Sequence, residues 1–195
     1  SSLSGSSVLQ GRAVTTSDAA IVTATASTGA AVGTYDVLVR ELARSQVTAA
    51  TSHHADRDTT VIATGGTLTI GDTAVSLSGD TTLQGLADAI NATEDVGVGA
   101  SIVRDADGYR LVLTGTTTGA DAAFTIQNGL TGSSLTFADS DGDGISGDNA
   151  ADNAMQAVDA DLLINNVAVT SATNAVQDAI PGVTLTLNRT SPDTV

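Results

Sequence analysis

GTLTIGDTAVSL (66–77), DTTLQGLADAIN (80–91) and VGVGASIVRDADGYRLVLTG (96–115) follow one another almost without interruption. The first reads as a tight hairpin, TLTI and AVSL about a Gly-Asp turn, with β-branched and polar residues alternating as a half-buried strand requires. The second is a helix: Leu83, Leu86, Ala87 and Ile90 fall at i, i+3, i+4 and i+7 and form one apolar stripe. Thr81 followed three residues later by Gln84 is a capping box that starts it, and Asn91 is a stop, which predicts a helix over 81–91. The third is a second hairpin about Ala106-Asp107-Gly108.

Outward from this block the strand pattern continues on both sides. AAIVTATA (19–26) alternates Thr with Ala. TGAAVGT (28–34) is a Gly-rich connection, and YDVLVREL (35–42) places Tyr35, Val37 and Val39 on one face. AAFTIQ (122–127), DLLINNVAVTS (161–171) and VTLTLNR (183–189) give further strands. A short AVQDAI segment (175–180) ends at Pro181, which cannot sit inside a helix, so that 66–127 and 161–189 share a strand–helix–strand flavour. One helix among roughly ten strands predicts a mainly β, antiparallel class with the helix on one sheet face. The polar TSHHADRD (51–58) reads as a linker, and 128–153, rich in Gly, Ser and Asp, as loop. The strands of 19–42 need partners, and those of 161–189 are the natural ones. The expected organisation is a discontinuous domain, 1–58 with 154–195, into which 59–153 is inserted as a second domain.

Composition agrees with strands. Aromatics are 2% of the 195 residues, so the core is built from Val, Ile, Leu and Ala, and Glu occurs only at Glu41 and Glu94. The net charge is −15, all seven basic residues are Arg, and Lys is absent. That charge disfavours a nucleic-acid partner and an anionic membrane surface, and its simplest use is solubility. Without Cys there is no disulfide framework or thiolate chemistry. No apolar run reaches the length of a membrane span, and the opening SSLSGSS has no basic start or apolar middle of a signal peptide; it reads as the edge of a longer parent.

These segments carry a resemblance. YDVLVREL, the block 66–127, and NAVQDAIPGVTLTL (174–187) occur in an order that resembles the central region of the flagellar filament-capping proteins, the second hook-associated protein. Within it, 66–127 is similar to the flagellin hook IN motif. The resemblance covers most of 19–190 and fails at 128–153, where this sequence inserts an acidic loop. The amphipathic terminal helices by which family members form a coiled coil are absent, so the chain resembles the cap's head with its legs removed. The resemblance implies a secreted, extracellular structural protein at the flagellum tip. Its implied partners are flagellin and other cap subunits in a homo-oligomeric ring, with host mucin or surface glycans as adhesion ligands. The alternative is an extracellular carbohydrate- or host-binding β adhesin module.

Catalysis lacks parts. His53 and His54 are adjacent in the polar segment and read as exposed loop residues; there is no GxSxG elbow and no Cys nucleophile. Gly142, Gly144 and Gly147 match GxGxxG, but the surrounding Asp residues would repel a pyrophosphate. No cofactor is required. Asn91-Ala92-Thr93 and Asn188-Arg189-Thr190 match glycosylation sequons, a weak signal in a protein of bacterial type.

The remaining local signal is DSDGDGISGDNA (139–150). Asp139, Asp141 and Asp143 before Gly144 reproduce the start of a calcium loop, with the Ile145 carbonyl as a further ligand. Ala150 stands where the closing bidentate Glu belongs, and Asp148 or Asp152 would have to substitute. The preferred reading is a solvated acidic loop; the alternative is a weak calcium site of Asp139, Asp141, Asp143, Ile145 and Asp148.

Overall fold

The computed structural model describes residues 12–192; the opening SSLSGSS and the final three residues lie outside them. The chain forms two compact units, leaving the first at Ala43, building the second from Arg44 to Val158, and returning to the first at Asp159.

The first unit begins with β1 (Val22–Ala26) and β2 (Val37–Glu41). The second contributes β3 (Val47–Ala49), β4 (Val61–Ala63), β5 (Gly66–Ile70), β6 (Thr73–Leu77) and β7 (Thr81–Thr82), then α1 (Leu83–Ala92), β8 (Val98–Arg104), β9 (Tyr109–Gly115) and β10 (Ile126–Leu130). The first unit is completed by β11 (Ala160–Ile164), β12 (Val167–Ser171), β13 (Ala175–Ile180) and β14 (Val183–Leu187).

In the first unit two antiparallel sheets, β1-β14-β13 and β12-β11-β2, share one core. β1 pairs with β14 from Val22 opposite Leu187 to Ala26 opposite Val183. That register sets Val22, Ala24 and Ala26 beside Val183, Leu185 and Leu187 on the buried face and turns the threonines away; a slip of one residue would reverse both strands. The reading of 175–180 as part of a strand–helix–strand pattern is corrected: it is strand β13, paired with β14. Its departure from regularity is a bulge between Gln177 and Ile180, where Asp178 adopts φ +59°. Asn165 and Asn166, both at positive φ, turn β11 into β12, a conformation asparagine tolerates better than most residues.

In the second unit, α1 buries Leu83, Leu86, Ala87 and Ile90 against the core formed by Ile62, Leu68, Ile70, Leu111 and Leu113. At roughly 1.5–3 kcal/mol for each fully buried large aliphatic side chain, this stripe outweighs any intrinsic propensity of a helix with Gly85 in its first turn. The helix begins later than its sequence suggests. Thr82, not Thr81, is the N-cap, with its hydroxyl accepting the Gly85 N–H at 3.1 Å. Thr81 sits in β7 and donates to the Gly79 carbonyl, and Gln84 donates forward to Asp88, so the predicted capping box does not form. Asn91 does not stop the helix; its amide bonds both backbone groups of Ala100 on β8, which places a side chain where a further strand would pair.

The segment 51–58 is no linker. Arg44–Val158 forms one unit, so 44–58 lies inside it rather than with the outer domain of the sequence reading, and the boundary falls at Ala43/Arg44. β3 pairs with β9, and His54 exchanges both backbone hydrogen bonds with Tyr109 at 2.8 Å. A Cβ on Gly108 would approach the His54 carbonyl oxygen to 2.7 Å, which fixes glycine there. His54, expected to be exposed, is 6% accessible. Burial, with the neighbouring His53 adding to it, lowers its pKa below the ordinary histidine value. Likewise 128–153 is loop only in part: β10 runs to Leu130, and Leu135 is in the core. Among the described residues no helix is long and apolar enough to cross a membrane.

Candidate functional site

The acidic segment 139–152 is held from below by a buried polar network. Gln46, with no exposed surface, accepts the Phe124 N–H at 3.0 Å and donates to the Phe124 carbonyl at 2.7 Å. The same amide reaches the Gly147 carbonyl, the Thr48 hydroxyl and the Asn153 side-chain oxygen. Thr48 also donates to Asn153, whose own amide donates to the Gly147 and Asn149 carbonyls and to Gln156. Ser146 is bridged to Ile126 by backbone hydrogen bonds of 2.7 and 2.9 Å. Buried polar groups are tolerable when they are satisfied, and here they fasten residues 146–153 to β3, to Phe124 and to β10.

Asp152 belongs to this base. It is 4% accessible and accepts the Ser140 N–H at 2.8 Å and the Gly147 N–H at 3.1 Å. Desolvation alone would raise its carboxyl pKa. The Ser140 hydroxyl and the N–H groups of Ser140, Gly147 and Asn149 outweigh that and hold it below the usual carboxylate value.

At the tip, the carboxylates of Asp139, Asp141 and Asp143 come within 4.8 Å of one another, all exposed. They are turned inward on the backbone. Asp139 accepts the N–H groups of Gly142 at 2.8 Å and Gly144 at 3.0 Å, Asp143 accepts that of Ile145 at 2.8 Å, and Asp141 accepts from Asp143 and from the Asn149 amide. Thus three of the five residues expected at a calcium site converge. Asp148 does not join them; it takes the Asn149 amide at 3.3 Å. Its pKa is raised by desolvation, by its hydrogen bond with Asp152, and by the charges of Asp143 and Asp141. Ile145 enters the loop's bonding through its N–H. Calcium takes six to eight oxygens, so three carboxylates already engaged by N–H groups would leave about half the shell to water. The sequence signal for the tip was the Asp–Gly spacing. No comparable signal marked Gln46 and Thr48, which lie 107 and 105 residues from their partner Asn153 in the chain.

Neither sequon presents a free side chain: Asn91 is engaged by Ala100, and Asn188 donates to the Ala19 carbonyl at 3.0 Å.

Two antiparallel β units, the second inserted in the chain of the first and carrying a hairpin–helix–hairpin block, make this a mainly antiparallel β protein of two units. Family models match in chain order, the N-terminus of flagellar hook-associated protein 2 at residues 1–46, the flagellin hook IN motif at 61–117 and the C-terminus of flagellar hook-associated protein 2 at 157–195. The chain belongs to the flagellar hook-associated protein 2 family. It is 32% identical over 172 residues to flagellar hook-associated protein 2 of Escherichia coli K12, covering 84% of this chain and 36% of that protein. It is 35% identical over 205 residues to the A-type flagellar hook-associated protein 2 of Pseudomonas aeruginosa, covering 96% of this chain and 42% of that one. The chain therefore spans well under half the length of these relatives. Its fold is similar to the crystal structure of the D2-D3 domains of the E. coli flagellar cap protein FliD, with a TM-score of 0.74 and 28% identity over 90% of this chain and 92% of that one.

Proposed function

We propose that this chain is the head region of a filament tip cap, a secreted structural protein that stands at the outer end of the flagellum and promotes flagellin polymerisation. It works by contact with flagellin and with other cap subunits, which form a ring in the full-length protein, and it is not an enzyme. The observation that carries the reading is the order of matches along one chain: the two hook-associated protein 2 models flank the hook IN motif, and the first unit is built from both flanks.

The test uses the parent gene in a flagellated bacterium that lacks its own cap protein. The intact gene restores filaments and swimming. The same gene with residues 44–158 replaced by a short linker supports fewer or shorter filaments and leaves flagellin as monomer in the medium. If the intact parent restores no filament, or if the medium flagellin does not depend on it, the reading fails.

A further inference from the structure

Among the described residues, one cluster of metal-ligating side chains lies apart from the acidic loop. His53, Asp105 and Asp107 each bring a ligand atom within 4.8 Å of the others. They come from two chain segments whose relative position is set by backbone: the paired hydrogen bonds between His54 and Tyr109, and the glycine at 108 that lets the two strands approach. His53 Nε2 is 3.0 Å from Asp105 Oδ2, close to the spacing of two ligands on one ion of the zinc class, whose bonds are near 2.0–2.2 Å. Asp105 Oδ1 accepts the Asp107 N–H at 3.0 Å, which orients the carboxylate so that Oδ2 meets His53. Both His53 and Asp105 remain partly open to water, their side chains 25% and 34% accessible.

The Asp105 carboxylate already draws a cation. Arg110 Nε stands 3.4 Å from Asp105 Oδ2, removed from solvent yet without a hydrogen bond of good geometry. The Arg110 side chain as a whole stays 36% accessible, so only this desolvated, poorly bonded Nε–H engages the carboxylate, which makes Arg110 a weak occupant of the site.

We propose that His53, Asp105 and Asp107 bind a divalent transition ion of the zinc class, which staples the segment 51–58 to the β8–β9 turn. One imidazole nitrogen with two carboxylate oxygens suits zinc and its neighbours, while calcium and magnesium prefer oxygen alone. Water fills the remaining positions. The ion replaces the His53–Asp105 hydrogen bond: Nε2 gives its lone pair to the metal, and the ring proton resides on Nδ1. Arg110 competes with the ion for Asp105 Oδ2 and weakens the site.

The experiment titrates zinc chloride into the whole chain, followed by calorimetry and by the imidazole resonances in NMR, in an Asp141→Ala background that removes the other acidic cluster. One saturable equivalent is expected at submillimolar zinc, with the shifts centred on His53 and little competition from equimolar calcium. His53→Gln and, independently, Asp107→Asn weaken binding tenfold or more, a loss at least as large as removing an outer-shell partner causes. Arg110→Gln tightens it several-fold, which an isolated surface histidine would not show. No saturable binding, binding indifferent to His53→Gln with circular dichroism unchanged, or no tightening with Arg110→Gln each overturns the proposal.

Discussion

Asp152 and Gln46 are the two side chains on which the acidic loop depends, and each does so through hydrogen bonds made out of contact with water. Asp152→Ala removes the acceptor for the Ser140 and Gly147 N–H groups and is expected to destabilise the second unit by about 1–3 kcal/mol, the cost of buried donors left unpaired. The folded-state pKa of Asp152 is depressed, so its contribution is present above the ordinary carboxylate value of 3.8 and is lost as pH falls through the lower, folded-state value. Denaturant unfolding between pH 7 and pH 3 should show a loss of stability on the acid side that is smaller in Asp152→Ala than in the parent. Gln46→Leu keeps the volume but orphans the Phe124 N–H and carbonyl, with an expected loss of about 2–4 kcal/mol. An effect below about 0.5 kcal/mol, the usual surface value, would show that the network is not what fastens the loop.

The helix and the sheet edge it covers offer a sharper comparison. Thr82→Ala removes the cap that accepts the Gly85 N–H and should cost about 1 kcal/mol in thermal or denaturant unfolding. Thr81→Ala loses only a hydroxyl bond to Gly79 and should cost less; the reverse order would mean that Thr81 is the cap and the helix begins at Thr82. Asn91→Ala leaves both backbone groups of Ala100 without their partner on the open side of β8. An uncovered strand edge is a template for another chain. Hydrogen exchange at Ala100 should therefore quicken, and the variant should self-associate more readily than the parent at matched concentration.

The whole chain divides at one place, where it leaves and re-enters the first unit. Arg44 and Val158, the first and last residues of the second unit, are joined by reciprocal backbone hydrogen bonds of 3.0 and 3.2 Å. A segment whose ends meet in this way, with its own core, can be cut out without breaking its sheets. Residues 44–158 expressed alone should fold, unfold cooperatively, and give amide spectra that overlay on the parent except near the cut ends. A fragment that is unfolded on its own would show that the second unit depends on the first.

Much of this architecture was legible in short-range pattern. The hairpins at 66–77 and 96–115, the stripe of Leu83, Leu86, Ala87 and Ile90, and the mainly antiparallel β class follow from alternation and periodicity, because those patterns record which side of a local element meets the core. The hook-associated protein 2 family was legible as a resemblance of whole segments such as NAVQDAIPGVTLTL, not from periodicity. The Asp–Gly spacing of the acidic loop likewise predicted the meeting of Asp139, Asp141 and Asp143, since their approach is set within five residues of chain. What pattern could not supply depends on partners distant in sequence. AVQDAI is a strand because β14 offers it hydrogen bonds and a core; alone, it carries no clear period. TSHHADRD is polar, yet Tyr109 binds it into the second unit and buries His54. Asp148 stands apart from the other loop carboxylates because Asn149 and Asp152 take up its bonding, and Gln46 meets Phe124, Gly147 and Asn153 only after the sheets have formed. Local backbone preference is worth a fraction of a kcal/mol at each residue, whereas burial and a satisfied buried hydrogen bond are worth one to several, so tertiary contact prevails wherever the local signal is weak.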